Sequence, residues 1–193
     1  MLEKISDKLT NAMLREDTIQ EESKELYSFG IQQGLFLLIG VISFIFIGWC
    51  FGMVWQALLY LVFYMPIRIY AGGYHAPTQK HCYVFSCAML VLVLAVMKIA
   101  RAQTTAYLVL TIVAGVVLFL LAPVEDKHKP LDEKEEYVYR KRAYIAISIE
   151  LLLCLICVML RWKMLLCICS AVITNAGMTA LGYMVNKSRN TNR

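Results

Sequence analysis

The sequence predicts an all-α fold, a polytopic membrane helix bundle of about six transmembrane helices with an N-terminal amphipathic helix. Three observations carry that expectation. Of the 193 residues 60% are hydrophobic and 17% charged, whereas a soluble domain carries about 25% charged residues, and the mean hydropathy is +0.61. Charge is segregated: of 14 acidic residues, seven precede Leu26, six fall between Glu125 and Glu136, and Glu150 stands alone, so no carboxylate occurs from Leu26 to Val124. What remains is a series of apolar runs of about the length that crosses a bilayer. Such a composition disfavours disorder, a collagen-like repeat and an ordinary water-soluble domain.

Taken in order, residues 1–28 read as an N-terminal cytoplasmic segment. Leu2, Ile5, Leu9, Ala12 and Met13 recur at helical spacing among Glu3, Lys4, Asp7, Lys8 and Asn11, the pattern of an amphipathic helix. Three roles stay open for it: lying on the membrane surface, covering the cytoplasmic mouth of the bundle, or pairing with a partner helix. Four basic against seven acidic residues weaken the first. The mostly polar start is wrong for a cleaved signal peptide, so the N-terminus is expected to stay on. Residues 29–193 form a single transmembrane bundle with spans near Ile31–Cys50, Met53–Ile69, Cys82–Ile99, Thr105–Ala122, Ala143–Leu160 and Met164–Val185. The first pair turns at Phe51-Gly52 and the last at Arg161-Trp162-Lys163, both as tight antiparallel hairpins. The second connection covers 68–82, and a charged connection covers 123–142.

With the N-terminus inside, 15 Lys and Arg residues face the cytoplasm and four (Lys98, Arg101, Arg161 and Lys163) face out. The positive-inside rule therefore places both termini and the second and fourth connections on the cytoplasmic side of a cell membrane. The net charge of +5 reads as this topology signal rather than as a nucleic-acid footprint, because no basic stripe is interleaved with aromatics. Six of the seven cysteines lie in or at the ends of apolar runs and read as free packing thiols. Cys154-x-x-Cys157 and Cys167-x-Cys169 have metal-like spacing, yet their apolar setting makes them packing residues too. No cofactor and no metal is expected.

The informative stretch is Arg68-Ile-Tyr-Ala-Gly72-Gly73-Tyr-His75-Ala-Pro77-Thr-Gln-Lys-His81-Cys82. The two glycines permit backbone conformations closed to other residues, and Pro77 suits the first position of a helix. A loop should hold His75, with the third span starting near Pro77 and Cys82 a little past its first turn. Along one continuous helix His75 and Cys82 would lie about 10 Å apart; they meet only if the loop folds back. A thiol becomes a nucleophile beside a base or a positive charge. His75 is the candidate base, and Arg68 adds positive charge. His81 points about 100° away from Cys82 on a helix and is the weaker candidate. A plain alternative makes Cys82 one more small membrane residue and His75 an interfacial polar one.

This segment resembles the signature of the accessory gene regulator B (AgrB) family, membrane cysteine endopeptidases of Gram-positive quorum-sensing systems. The matching residues are Arg68, Ala71-Gly72-Gly73, His75-Ala76 and Cys82, with six residues between the His and the Cys. A second block, Ala122-Pro123-Val124 followed by Lys129-Pro130-Leu131, resembles the connection after the family's fourth span. The resemblance implies that Cys82 attacks the scissile carbonyl of a small membrane-associated pro-peptide and forms a thioester. In that attack the resemblance makes His75 the group that takes the thiol proton and then passes it to the leaving amine. A side-chain thiol or hydroxyl of the peptide can next take the acyl group, closing a thiolactone or lactone ring. Partners so implied are the pro-peptide, the lipid bilayer and a second copy in a homodimer.

Weaker signals accompany it. Glu150 lies seven residues into the fifth span, where a carboxylate is expensive and functional by default. It is expected either to orient His75 or to contact the substrate, against a structural, protonated role. Lys127 and Lys129 are candidate contacts for an acidic peptide tail, against a plain solvated loop. Ser86, Thr174, Asn175 and Thr179 read first as interhelical hydrogen-bonding groups. Competing functions are a non-enzymatic transporter or peptide-export component, with Glu150 and His75 lining a pathway, and a metal-dependent hydrolase using His75, His81, Cys82 and His128.

Overall fold

The structure is a computed structural model. It describes residues 2–16, 18–74, 76, 78–100, 104–125 and 132–191. Among these the secondary structure is helical: α1 (Leu2–Arg15), a short 3-10 turn (Glu21–Ser23), α2 (Lys24–Phe51), α3 (Val54–Ala71), α4 (Gln79–Ala100), α5 (Thr104–Leu121), α6 (Glu133–Met159) and α7 (Leu165–Thr191). Five helices are long and apolar enough to cross a membrane, and the apolar stretch Thr105–Leu121 of α5 is a shorter sixth. The polytopic helical class is therefore as expected. In lipid a helix satisfies every backbone group within itself, which is why six apolar runs leave few other folds open.

The chain divides into two compact units at Phe46/Ile47. In the first, α1 forms as its periodicity predicts, but its buried residues are polar. Ser6 and Thr10 are fully buried while Ile5 and Leu9 are exposed. Ser28 at the start of α2 explains the choice, since its hydroxyl donates to Asp7 Oδ1 at 2.9 Å and lies 3.4 Å from Ser6 Oγ. Thr10 donates to the Ser6 carbonyl at 2.8 Å.

In the second unit α7 is the central helix, packed along α3 and α5 and over shorter stretches of α6 and α4. Lipid is as apolar as leucine, so helices in it associate through close packing and interhelical hydrogen bonds. Small residues accordingly dominate one core, where Ala71 of α3, Ala114 of α5, Ala143 of α6 and Ala176 of α7 meet around Ile67, Leu118, Ile147 and Val172. A second core brings Cys154 and Cys157 of α6 against Leu165, Ile168 and Cys169 of α7, with Phe63, Tyr107 and Leu108 alongside. The seven cysteines are free, and Cys154 and Cys169 approach to 3.9 Å between sulfurs. Polar stitches cross the helices: Asn175 donates to the Tyr64 carbonyl of α3 at 3.1 Å, and Tyr107 of α5 pairs with Ser170 of α7 at 3.2 Å.

Both hairpin turns form where expected. Gly52, at φ 64°, turns α2 into α3, with the Met53 N–H bonded to the Gly48 carbonyl at 2.7 Å. At the other turn Arg161 takes φ 52° and the Trp162 N–H closes onto the Cys157 carbonyl at 2.9 Å.

Two boundaries correct the sequence reading. Connection 123–142 is not a loop throughout: α6 begins at Glu133, ten residues before the expected span. Glu133, Glu135 and Glu136 sit in its first turn, where the helix dipole favours negative charge, and Glu136 forms an i,i+4 ion pair with Arg140. α4 begins at Gln79 rather than at Pro77 or Cys82.

Candidate active site

The ends of α3, α4 and α7 and the segment after α5 converge on residues 71–74. α3 presents Arg68 one turn before its end, and the guanidinium fork reaches forward over the chain that follows. Nη1 donates to the Gly72 carbonyl at 2.7 Å and Nη2 to the Tyr74 carbonyl. A hydrogen bond to a charged donor contributes about 1.5–3 kcal/mol, and a planar fork spends little entropy in making two of them. Arg68 is therefore a clamp that fixes the shape of the loop. Sequence reasoning assigned it charge; the structure adds geometry.

Gly72 and Gly73 are required by that shape, with φ of 70° and 127°. A Cβ on Gly72 would lie 2.1 Å from the Val124 carbonyl oxygen, and one on Gly73 would lie 2.3 Å from Arg68 Nη1. The reason is that other backbone lies against both faces of the turn. The Val124 N–H donates to the Ala71 carbonyl at 2.9 Å, forming an isolated parallel bridge between Gly72 and Val124. On the other side the Tyr74 N–H donates to the Met178 carbonyl of α7 at 2.9 Å. α7 comes this near because residue 182 has no side chain, a Cβ there falling 2.6 Å from Gly73 C and Tyr74 N. Val124 lies in the second block singled out in the sequence. Gly182 and Met178 were missed; the available signal was a glycine inside a buried helix.

From this fixed loop the chain enters α4. Thr78 caps it: its carbonyl accepts from the Cys82 N–H at 3.0 Å and its hydroxyl from the His81 N–H at 3.3 Å. The same hydroxyl pairs with His81 Nδ1 at 2.6 Å, so the His81 ring is engaged in capping and exposed. Cys82 is half-buried at the end of the first turn, two residues nearer the helix start than expected. Tyr74 meets Phe85 edge-on at 6.1 Å, tying the loop to the next turn of α4. Tyr64, stacked on Tyr60 at 5.4 Å, lies within electrostatic reach of both Arg68 and Cys82. The structure thus brings Arg68, Gly72, Gly73 and the Cys82 turn together. His75, the candidate base, and Lys127 and Lys129 lie outside the described residues, as does His128.

Glu150 is 3% exposed, and neither carboxylate oxygen has a hydrogen-bond partner among the described residues. It lines a groove of about 470 Å3 between α3 and α6, with Pro66, Tyr70 and Arg142. Pro66 supplies no N–H to the Val62 carbonyl one turn earlier, so the α3 wall of this groove is locally polar. Above it Arg142 stacks over Tyr70 at 5.6 Å and Tyr139 meets the same ring at 6.0 Å. The helical extension of α6 thereby braces the end of α3 that carries Arg68.

Fold and site together define a polytopic helical membrane protein in which an arginine-clamped diglycine loop feeds a thiol-bearing helix start. A family model described as Accessory gene regulator B matches residues 3–181. Among its relatives is an AgrB-like protein of Clostridium perfringens strain SM101, 23% identical over 173 residues, covering 85% of this chain and 80% of that one. AgrB-like protein 2 of C. perfringens strain 13 is 25% identical over 155 residues, covering 76% and 72%. Accessory gene regulator protein B of Staphylococcus aureus strain Newman is 30% identical over 101 residues, covering 52% and 51%. The chain belongs to the accessory gene regulator B family, which works in quorum-sensing systems. No solved structure gives a significant match.

Proposed function

We propose that the chain is an integral-membrane cysteine endopeptidase that removes the C-terminal part of a small quorum-sensing pro-peptide and promotes closure of the remainder into a thiolactone or lactone. The observation that supports this most is the clamped loop: Arg68, Gly72 and Gly73 hold residues 71–74 against α7 and Val124 immediately before the histidine and the first turn of α4, where Cys82 sits half-buried.

In the first step Cys82 Sγ bonds to the scissile carbonyl carbon while His75 takes the thiol proton. The C–N bond then breaks, the leaving amine receives that proton from His75, and a thioester on Cys82 remains. A thiol or hydroxyl of the bound peptide attacks the thioester, the ring closes and Cys82 recovers its proton. Acyl transfer between thiols is close to isoenergetic, so a site that excludes water favours the ring over hydrolysis. Lys127 and Lys129 receive the acidic tail, Glu150 contributes to orienting His75 or the peptide, and the site faces the cytoplasm in a homodimer.

The test is co-expression with the pro-peptide and measurement of cleavage in isolated membranes. Cys82→Ala and His75→Ala are each expected to lower cleavage at least about 100-fold with insertion unchanged. Cleavage persisting in Cys82→Ala would return the chain to a non-enzymatic transport role.

A further inference from the structure

At the end of the second unit opposite the Arg68 clamp lies a cavity of about 600 Å3, within the range of small-molecule sites. Its origin is the helix arrangement. α4 packs along α3 and α7, α5 packs along α7 and α6, and a gap remains between α4 and α5 beneath the α6–α7 turn. Met53, Met97, Leu108 and Leu166 form its apolar walls, while Arg161, Trp162 and Lys163 stand at its mouth.

The charge at that mouth is one-sided. Arg161 and Lys163 are exposed, and α3, α4, α5 and α7 carry no acidic residue at all. The one carboxylate of the membrane-embedded part of α6, Glu150, lies two turns before Cys157. Arg161 also occupies a left-handed conformation, φ 52°, at the helix-closing position where glycine is favoured. The turn therefore places a guanidinium where a glycine would close the helix with less strain.

We propose that this cavity takes an acyl chain of an anionic phospholipid, with its phosphate held between Arg161 and Lys163 and Trp162 at headgroup level. A cavity walled by Met53, Met97, Leu108 and Leu166 beside Gln56, and opening beneath two exposed cations and an indole, matches such a lipid end to end. The site is separate from the proposed peptidase chemistry and stands or falls without it.

The test uses the full chain in vesicles with Trp49→Phe and Trp55→Phe, two exposed positions, so that Trp162 is the remaining tryptophan and is excited selectively over tyrosine. Phosphatidylglycerol and phosphatidylcholine with brominated acyl chains are compared at equal mole fraction. The expected result is a preference of at least about threefold for brominated phosphatidylglycerol as quencher, falling to near one in Arg161→Asn/Lys163→Gln. Asparagine tolerates the left-handed backbone, so this variant keeps the turn. Equal quenching by the two lipids, or a preference that survives removal of both charges, would overturn the proposal. So would loss of the preference on adding inorganic phosphate at constant ionic strength, which would reveal an anion site without a bound chain.

Discussion

Arg68, Gly72, Gly73 and Gly182 act as one device: the three glycines let backbone pass close to backbone, and the Arg68 fork ties down the turn that results. Gly182→Ala improves helix propensity yet drives a methyl group into the Gly73–Tyr74 peptide, 2.6 Å away. Cleavage should fall at least about tenfold while α7 stays folded. Gly177→Ala is the matching control, since nothing lies within 4 Å of its added Cβ, and it should leave cleavage unchanged. Arg68→Lys keeps the charge and loses the fork; an intermediate loss of cleavage with unchanged peptide binding is the expected outcome, and full activity would show that charge alone suffices. The diglycine was legible in the sequence because consecutive glycines beside a histidine and a proline announce an unusual turn. Gly182 was not, because what it accommodates lies more than a hundred residues away along the chain.

Among the elements, α7 holds the site through polar contacts that differ in kind. Asn175 spans the Tyr64 carbonyl of α3 and the Ala171 carbonyl of its own helix, whereas the buried Thr179 hydroxyl has no hydrogen-bond partner among the described residues. Asn175→Ala should lower stability against detergent unfolding by about 1 kcal/mol. Thr179→Val removes an unsatisfied group at nearly constant shape and should be neutral or stabilising. The run of long apolar helices was legible because lipid tolerates few alternatives to them, five being long enough to cross a membrane and Thr105–Leu121 a shorter sixth. The start of α6 was not, since a mixed-charge stretch can be solvated loop or solvated helix and only acid-first ordering and the Glu136–Arg140 pair tip it toward helix. The buried side of α1 was likewise illegible: a hydrophobic stripe marks a helix, but a serine and an aspartate bonded to Ser28 decided which side is covered.

At the scale of the whole molecule, the proposed chemistry requires the clamp and Cys82 to face the cytoplasm and the Arg161–Lys163 turn to face out. In a background lacking the seven cysteines, Lys163→Cys should react with an impermeant maleimide on intact cells. Lys80→Cys should react only after permeabilisation, and the reverse pattern would invert the topology. Glu150 also belongs to this scale, as its carboxylate lines a groove between α3 and α6 and has no hydrogen-bond partner among the described residues. Glu150→Gln should preserve insertion while lowering cleavage or cyclisation; unchanged rates would leave the residue a structural role. The most direct measurement of the central claim is mass spectrometry of the enzyme quenched during turnover with its pro-peptide. A hydroxylamine-labile adduct of the N-terminal peptide fragment on Cys82, absent from Cys82→Ala, is the expected result. Full cleavage with no adduct on that sulfur would contradict it.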